Sequence, residues 1–246
     1  MNTTMVSSQP ISPHIPFLLL TSRLVIVPTP TAISLPSYCA LYASLHANAL
    51  FCKTAFGHHL PPMNWSKEKT HEMVLKDVVH RWGKRGMGDF AVGLRASMDN
   101  DGLDKGRSLG AAQELRIFEG GHYNELVQSD ERTLDPITWI GYVGVRDATT
   151  TSMPARTEDD PPLPPWLEMI ELRYGLSQDY WGQGLAKEAA EAVMQWATSE
   201  RGATRFIAET ERENSQSGRV LEKMGFSPSG TDYWKEPSEL EWAKTV

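Results

Sequence analysis

Two glycines one residue apart, Gly182 and Gly184, stand between a stretch of strand character and a stretch of helix character. That placement suits phosphate binding. The first turn of a helix leaves backbone N–H groups unpaired and carries positive partial charge, and glycine lets an anion approach without a Cβ in the way. Alone the motif is unspecific. It lacks the third glycine of a dinucleotide fingerprint, and no Gly-Lys-Ser/Thr follows as in a P-loop. Cys39 and Cys52 fit neither a disulfide framework nor a metal-site spacing, so no metal is expected.

The elements that must hold this loop can be read around it. Residues 169–176 read as a strand and 177–184 as a turn. Residues 185–198 read as a helix, with Leu185, Ala189, Ala192, Val193 and Trp196 along one side. Residues 205–210 form the next strand. Ser217, Val220, Leu221 and Met224 mark a second helix, and Gly225 is placed for a left-handed cap. The tail is expected to add two strands, around Tyr233-Trp234 and over 240–244. Upstream, 23–27 is a first strand stopped by Pro28, and helical spacing runs over 32–48. Ser66 caps an amphipathic helix carrying Met73, Val74, Val78, Val79 and Trp82. Residues 89–95 and 138–145 are strands, the second with glycines that allow close approach or a bulge.

This order predicts an α+β fold, one twisted sheet with helices in a single domain over 17–246. A flexible leader, 1–16, precedes it. Two stretches are expected as loop insertions. Residues 97–135 are polar, with one short strand at 114–118, and form either a lid or a disordered segment. Residues 147–168 are acidic and proline-rich.

Of the 246 residues, 40% are hydrophobic and 22% charged, as in an ordinary soluble domain. A formal net charge of −7 argues against non-specific nucleic-acid binding and fits a cationic substrate. The N-terminus lacks the basic and long apolar regions of a signal peptide, and the apolar run at 17–20 is too short to cross a bilayer. A cytoplasmic or nuclear protein with no membrane partner is expected, as a monomer or homodimer.

Tyr174-x-Leu176 followed by Tyr180-Trp181-Gly182-x-Gly184-Leu185-Ala186-x-Glu188-Ala189 resembles the acetyl-CoA signature of the GNAT N-acetyltransferases. It is most similar to the branch of ribosomal-protein N-terminal acetyltransferases. Asn214-x-x-Ser217 with Val220-Leu221-Glu222-Lys223-Met224-Gly225-Phe226 resembles the second block of that family, and Thr21-Ser22-Arg23-Leu24-Val25-Ile26 its opening strand. The likeness is specific over 169–227, loose over 21–146, and absent from the insertions. It implies a mixed, mostly antiparallel sheet with a splayed central strand pair. Leu172, Tyr174 and Leu176 would then flank the pantetheine arm of acetyl-CoA. Tyr180, Trp181, Gly182, Gln183, Gly184, Leu185 and Ala186 would cradle its pyrophosphate, and Asn214 would reach the arm. One departure is Asp179, where many relatives carry Gln or Arg. Its carboxylate should point outward or cap the helix, and Gln178 could substitute.

The resemblance implies acetyl transfer from acetyl-CoA, as acyl donor, to a primary amine: a protein N-terminus or a small molecule. An α-amino group is about one-tenth neutral near pH 7, a lysine-like amine far less, so a proton acceptor matters. Glu209 is the first candidate and Glu171 the second, although strand alternation turns Glu171 away from Leu172 and Tyr174. Ser217 stands where some relatives keep a serine near the sulfur. Other branches use a tyrosine four residues on, and that place is Leu221 here. His58-His59 could line the acceptor side, and acceptor selectivity is expected from 32–64 and the two insertions. Two other readings stay open: a catalytically silent acyl-CoA sensor of the same fold, and a nucleotide binder using Gly182 and Gly184.

Overall fold

The computed structural model describes residues 14–57, 60–97, 105–110, 114–127, 134 and 136–246. Among the described residues, ten strands form one sheet in the order β4-β5-β1-β2-β3-β6-β7-β8-β10-β9. They are β1 (Phe17–Leu20), β2 (Leu24–Pro28), β3 (Asp89–Leu94), β4 (Arg107–Ser108), β5 (Arg116–Glu119), β6 (Trp139–Asp147), β7 (Ile170–Leu176), β8 (Arg205–Glu211), β9 (Ser227–Pro228) and β10 (Glu239–Thr245). The helices are α1 (Thr29–Ala32), α2 (Pro36–Ala47), α3 (Ala49–Phe56), α4 (Lys67–Asp77), α5 (Gly83–Arg85), α6 (Gly120–Val127), α7 (Ala148–Thr151), α8 (Leu185–Arg201) and α9 (Ser215–Lys223). Among the described residues every ladder is antiparallel except β7 with β8. The fold is the α+β arrangement expected, with helices on both faces of a mixed sheet.

The period-2 alternation of β6 and β7 sorts the two faces. Val143, Val145, Leu172 and Leu176 join the main core, against Leu185, Ala189, Val193 and Trp196 of α8. That is the apolar side read from the helix. Tyr142 turns to the other face, with Leu45, Phe51 and Cys52 of α2 and α3. The glycines of β6 do allow close approach. A Cβ on Gly141 would stand 2.2 Å from the Gly175 carbonyl oxygen, and one on Gly144 2.1 Å from Asp89. A register shift falls opposite, between Val92 and Gly93.

Several expectations are corrected. A strand, β1, precedes the one read as first, because four consecutive apolar residues buried on both faces carry no alternation to read. Tyr233-Trp234 is not a strand. Trp234 packs on Met169 and Ile207 while Met153 and Leu163 border the same cluster, so the insertion at 147–168 is docked rather than a free surface loop. The second tail strand is β10, beside β8. The Ser66 cap forms as read, accepting from the Lys69 N–H at 3.2 Å, but the helix loosens into a π-turn over Val78–Trp82, which leaves Val79 exposed. The described parts of 97–135 hold β4, β5 and α6, with Phe118, Tyr123 and Leu126 in a core cluster. Residues 1–13 of the expected leader and His58-His59 lie outside the described residues.

Candidate functional site

The parallel neighbours β7 and β8 are joined at only two pairs, Ile170↔Phe206 and Glu171↔Ile207. Beyond them the strands diverge, leaving the edge of β7 from Leu172 to Leu176 without a ladder to β8 among the described residues. A cleft of about 770 Å³ opens there, a size suited to a large organic ligand. Every residue read from the sequence as catalytic or cofactor-binding lines it, from Leu172 on β7 through the glycine loop to Glu209, Asn214 and Ser217.

The loop at the cleft mouth has the geometry an anion needs. Gly182 and Gly184 take φ of +73° and +75°, the left-handed region that L side chains rarely adopt. Neither is crowded: a Cβ on Gly182 would meet nothing within 4 Å. Gly184 is the N-cap of α8 and no side chain caps that end, so the first-turn N–H groups keep their donor capacity. The loop is pinned from two sides. Trp181 Nε1 donates to the Leu176 carbonyl at 2.7 Å, and Arg23 Nη1 to the Gln183 carbonyl at 2.9 Å. The same guanidinium pairs with Glu188 at 2.5 Å, and Thr21 Oγ1 donates to that carboxylate at 2.5 Å. The opening motif therefore buttresses the loop motif, a contact no spacing rule reveals.

Asp179 is exposed and off the cleft wall, as expected of a carboxylate there. Gln178 does not take over a cleft role: its Nε2 donates to Asn48 Oδ1 at 2.9 Å. Asn214 caps α9, its Oδ1 accepting from the Ser217 N–H at 3.1 Å, while its Nδ2 donates to the Thr54 carbonyl at 2.8 Å and ties α9 to α3. Phe51 and Phe56 of α3 and Tyr142 of β6 complete a wall that carried no sequence motif. No described residue of 97–135 or 148–168 lines the cleft, so the described part of the first insertion is not a lid over it.

Tyr174, Glu171 and Glu209, all lining the cleft, have shifted protonation. Burial and a weaker counter-effect from Ser217 leave the Tyr174 phenol at about 12; its oxygen lies 2.7 Å from Ser217 Oγ. Glu171 is buried, which favours its neutral form, but two hydrogen bonds from Arg146, at 2.8 and 2.5 Å, and one from Ser152 outweigh burial and hold it below the usual carboxylate range. It is therefore committed to an ion pair, and its candidacy as proton acceptor falls. Burial, a hydrogen bond with Glu239 and the charge of Glu171 push Glu209 up to about 9. Among the described residues, no cluster of three or more His, Cys, Asp or Glu is poised for a metal, and no helix is long and apolar enough to cross a membrane.

The raised Glu209 has a consequence for stability. The folded state binds a proton there that the unfolded chain, with a glutamate near 4.3, gives up. Its contribution is complete below about pH 4.3 and is lost as pH rises to about 9. Glu209→Gln cannot ionise, so its melting temperature relative to wild type should climb steadily from pH 5 to pH 9. Differential scanning calorimetry across that range would show it, and a constant difference would contradict the assignment.

The profile of the family described as Acetyltransferase (GNAT) domain matches residues 40–227. The chain is similar to the uncharacterized N-acetyltransferase YnaD of Bacillus subtilis (strain 168), 31% identical over 75 residues covering 27% of this chain and 44% of that protein. It thus spans less than half the length of the curated relatives it matches. Among solved structures it resembles an acetyltransferase from Agrobacterium tumefaciens str. C58, at 16% identity and TM-score 0.57, covering 97% of this chain and 99% of that one. It also resembles RimL, a ribosomal L7/L12 alpha-N-protein acetyltransferase solved with coenzyme A, at 12% identity and TM-score 0.52, over 96% and 97%. At such identities the structures speak to the fold alone.

Proposed function

Because the chain belongs to the GNAT acetyltransferase family, we propose that it transfers the acetyl group of acetyl-CoA directly to a primary amine in a ternary complex. One observation carries this reading: a parallel strand pair that parts after two residue pairs and opens onto the uncapped N-terminus of α8. The unpaired backbone edge of β7 would hydrogen-bond the amide-rich arm of the donor. The Gly182–Gly184 turn would hold the pyrophosphate, and the backbone N–H groups at the parting would polarise the thioester carbonyl.

The amine must lose a proton before its lone pair attacks the carbonyl carbon. Of the two candidate carboxylates only Glu209 is not held by an arginine. The departing thiolate is met by Ser217, whose hydroxyl is backed by the Tyr174 phenol. In Tyr174 the chain brings to this place, from β7, the phenol that Leu221 lacks. Ser217→Ala is expected to lower kcat about 100-fold, at the low end of acid–base contributions, with acetyl-CoA affinity held within about threefold. An unchanged kcat would remove the serine from the mechanism. The acceptor would be a protein N-terminus, as in the ribosomal-protein branch, or a small amine, in a cytoplasmic setting.

The test of the function is release of CoA thiol from acetyl-CoA across a panel of alkylamines and N-terminal peptides. Acceptor-dependent release supports transfer. Binding of acetyl-CoA with no release for any acceptor would favour a silent sensor.

A further inference from the structure

β8 and β10 run antiparallel, with Glu211 opposite Glu239 and Glu209 opposite Glu241. Alternation puts all four carboxyl groups on the face of the sheet that also carries Glu171, Arg173 and Tyr142. Glu241 is spent on structure, accepting from Thr231 Oγ1 at 2.5 Å and from the Trp234 N–H at 2.9 Å. Glu209 and Glu239 both line the cleft, diagonal neighbours across the ladder, and they share a hydrogen bond. Two carboxyl groups can share a hydrogen bond only if one keeps a proton. The other oxygen of Glu209, Oε2, is shut off from solvent and takes no hydrogen bond from any described residue.

We propose that Glu209 and Glu239 form a proton-sharing carboxyl pair on the acceptor wall of the cleft, with Glu209 as the proton acceptor of the transfer and Glu239 as the residue that tunes it. The proposal rests on the acetyl-transfer reading above. The groups around Glu209 are consistent with it. From β7 and β6 it faces the Glu171–Arg146 ion pair, whose charges oppose each other. Arg173 of β7 and Glu211 of β8 share its face and line the cleft, while Arg219 and Lys223 line it from α9, which packs on the other face. Burial of Glu209 and its hydrogen bond with Glu239 thus hold the shared proton on together.

The chemistry balances. An acceptor arrives as an ammonium, and its positive charge favours the doubly ionised pair, so binding expels the shared proton to solvent. Glu209 then takes one proton from nitrogen. The freed lone pair forms the C–N bond, and the C–S bond breaks with its electrons on sulfur. The second nitrogen proton accounts for the one gained by sulfur, so products are the amide, CoA thiol and a proton returned from Glu209. An acid group that holds its proton to about pH 9 becomes, once emptied, a base matched to an alkylammonium near 10.4.

Two measurements test this. The first needs no turnover. Infrared difference spectra at pH 7.5 should contain the C=O band of a neutral carboxyl group in wild type minus Glu209→Gln, and the same band, displaced in frequency or lost in the variant, in wild type minus Glu239→Gln, because that substitution breaks the shared hydrogen bond. Absence of the band in either overturns the pair, whether or not the protein turns over. The second is kcat/KM for a fixed alkylamine from pH 6 to 10. Glu239→Gln should move the rising limb at least one pH unit toward acid. Glu209→Gln should fall about 100-fold and lose the limb. A limb common to wild type and Glu239→Gln would make Glu239 merely structural and overturn its tuning role. If the band is present but no acceptor releases CoA, the acetyl-transfer reading fails, and the catalytic assignment falls with it.

Discussion

Gly184→Trp is expected to weaken acetyl-CoA binding by more than about 100-fold, roughly 2.7 kcal/mol, while leaving the protein folded. The substitution has two separable effects. Gly184 has φ of +75°, and a side chain there costs about 1–2 kcal/mol of backbone strain. The nearest atom to its Cβ would be Arg23 Nη2 at 3.7 Å, so the indole has room, but it would lie across the first-turn N–H groups of α8. Gly202 supplies the control. It caps the other end of the same helix at the same φ, with nothing within 4 Å of its Cβ, and it lies off the cleft. Gly202→Trp should lower the melting temperature about as much and leave acetyl-CoA affinity unchanged. Calorimetric titration of both variants checks this. Equal loss of affinity in both would mean that strain, not the loop, governs binding.

Arg146→Met should destabilise the protein by about 3–5 kcal/mol, because it leaves the buried Glu171 carboxylate without its counter-charge. For a chain of this size that is roughly 6–20 °C in melting temperature. The double variant Arg146→Met/Glu171→Met should recover most of the loss, since removing both charges also removes the cost of burying them. The pH dependence follows from the depressed carboxyl. Its stabilisation is present above the unfolded value near 4.3 and disappears as pH falls through the lower folded value. The gap between wild type and Arg146→Met should therefore narrow below about pH 4. Urea melts at several pH values would show this, and a gap independent of pH would place the loss in packing instead.

What the sequence disclosed and what it withheld divide along physical lines. The loop and the two following helices were legible because their signals are local. Left-handed glycines, an N-cap at Asn214 and an apolar stripe at helical spacing depend on near neighbours in the chain. The parting of β7 from β8 came through family likeness, since no residue pattern states where a parallel ladder stops. Long-range pairings were not legible. Arg23 reaches Glu188 and Gln183 from more than a hundred residues away. Glu239 meets Glu209 only because the tail returns as β10 beside β8. The tail itself misled, as Tyr233 and Trp234 have strand propensity but spend it on packing under the 147–168 segment. β1 was passed over for the opposite reason, its apolar run being short and without alternation. The cleft wall of Phe51, Phe56 and Tyr142 is assembled from two elements, α3 and β6, that lie far apart in the chain, and each aromatic alone looks like ordinary core.

The most direct test of the central claim is calorimetric titration of the wild-type protein with acetyl-CoA, CoA, ATP and NAD. Saturable binding of acetyl-CoA and CoA at one site, with neither ATP nor NAD binding comparably, is the result predicted by a cleft built for the pantetheine arm as well as the phosphates. No binding of either CoA species, or equal binding of ATP, would contradict it.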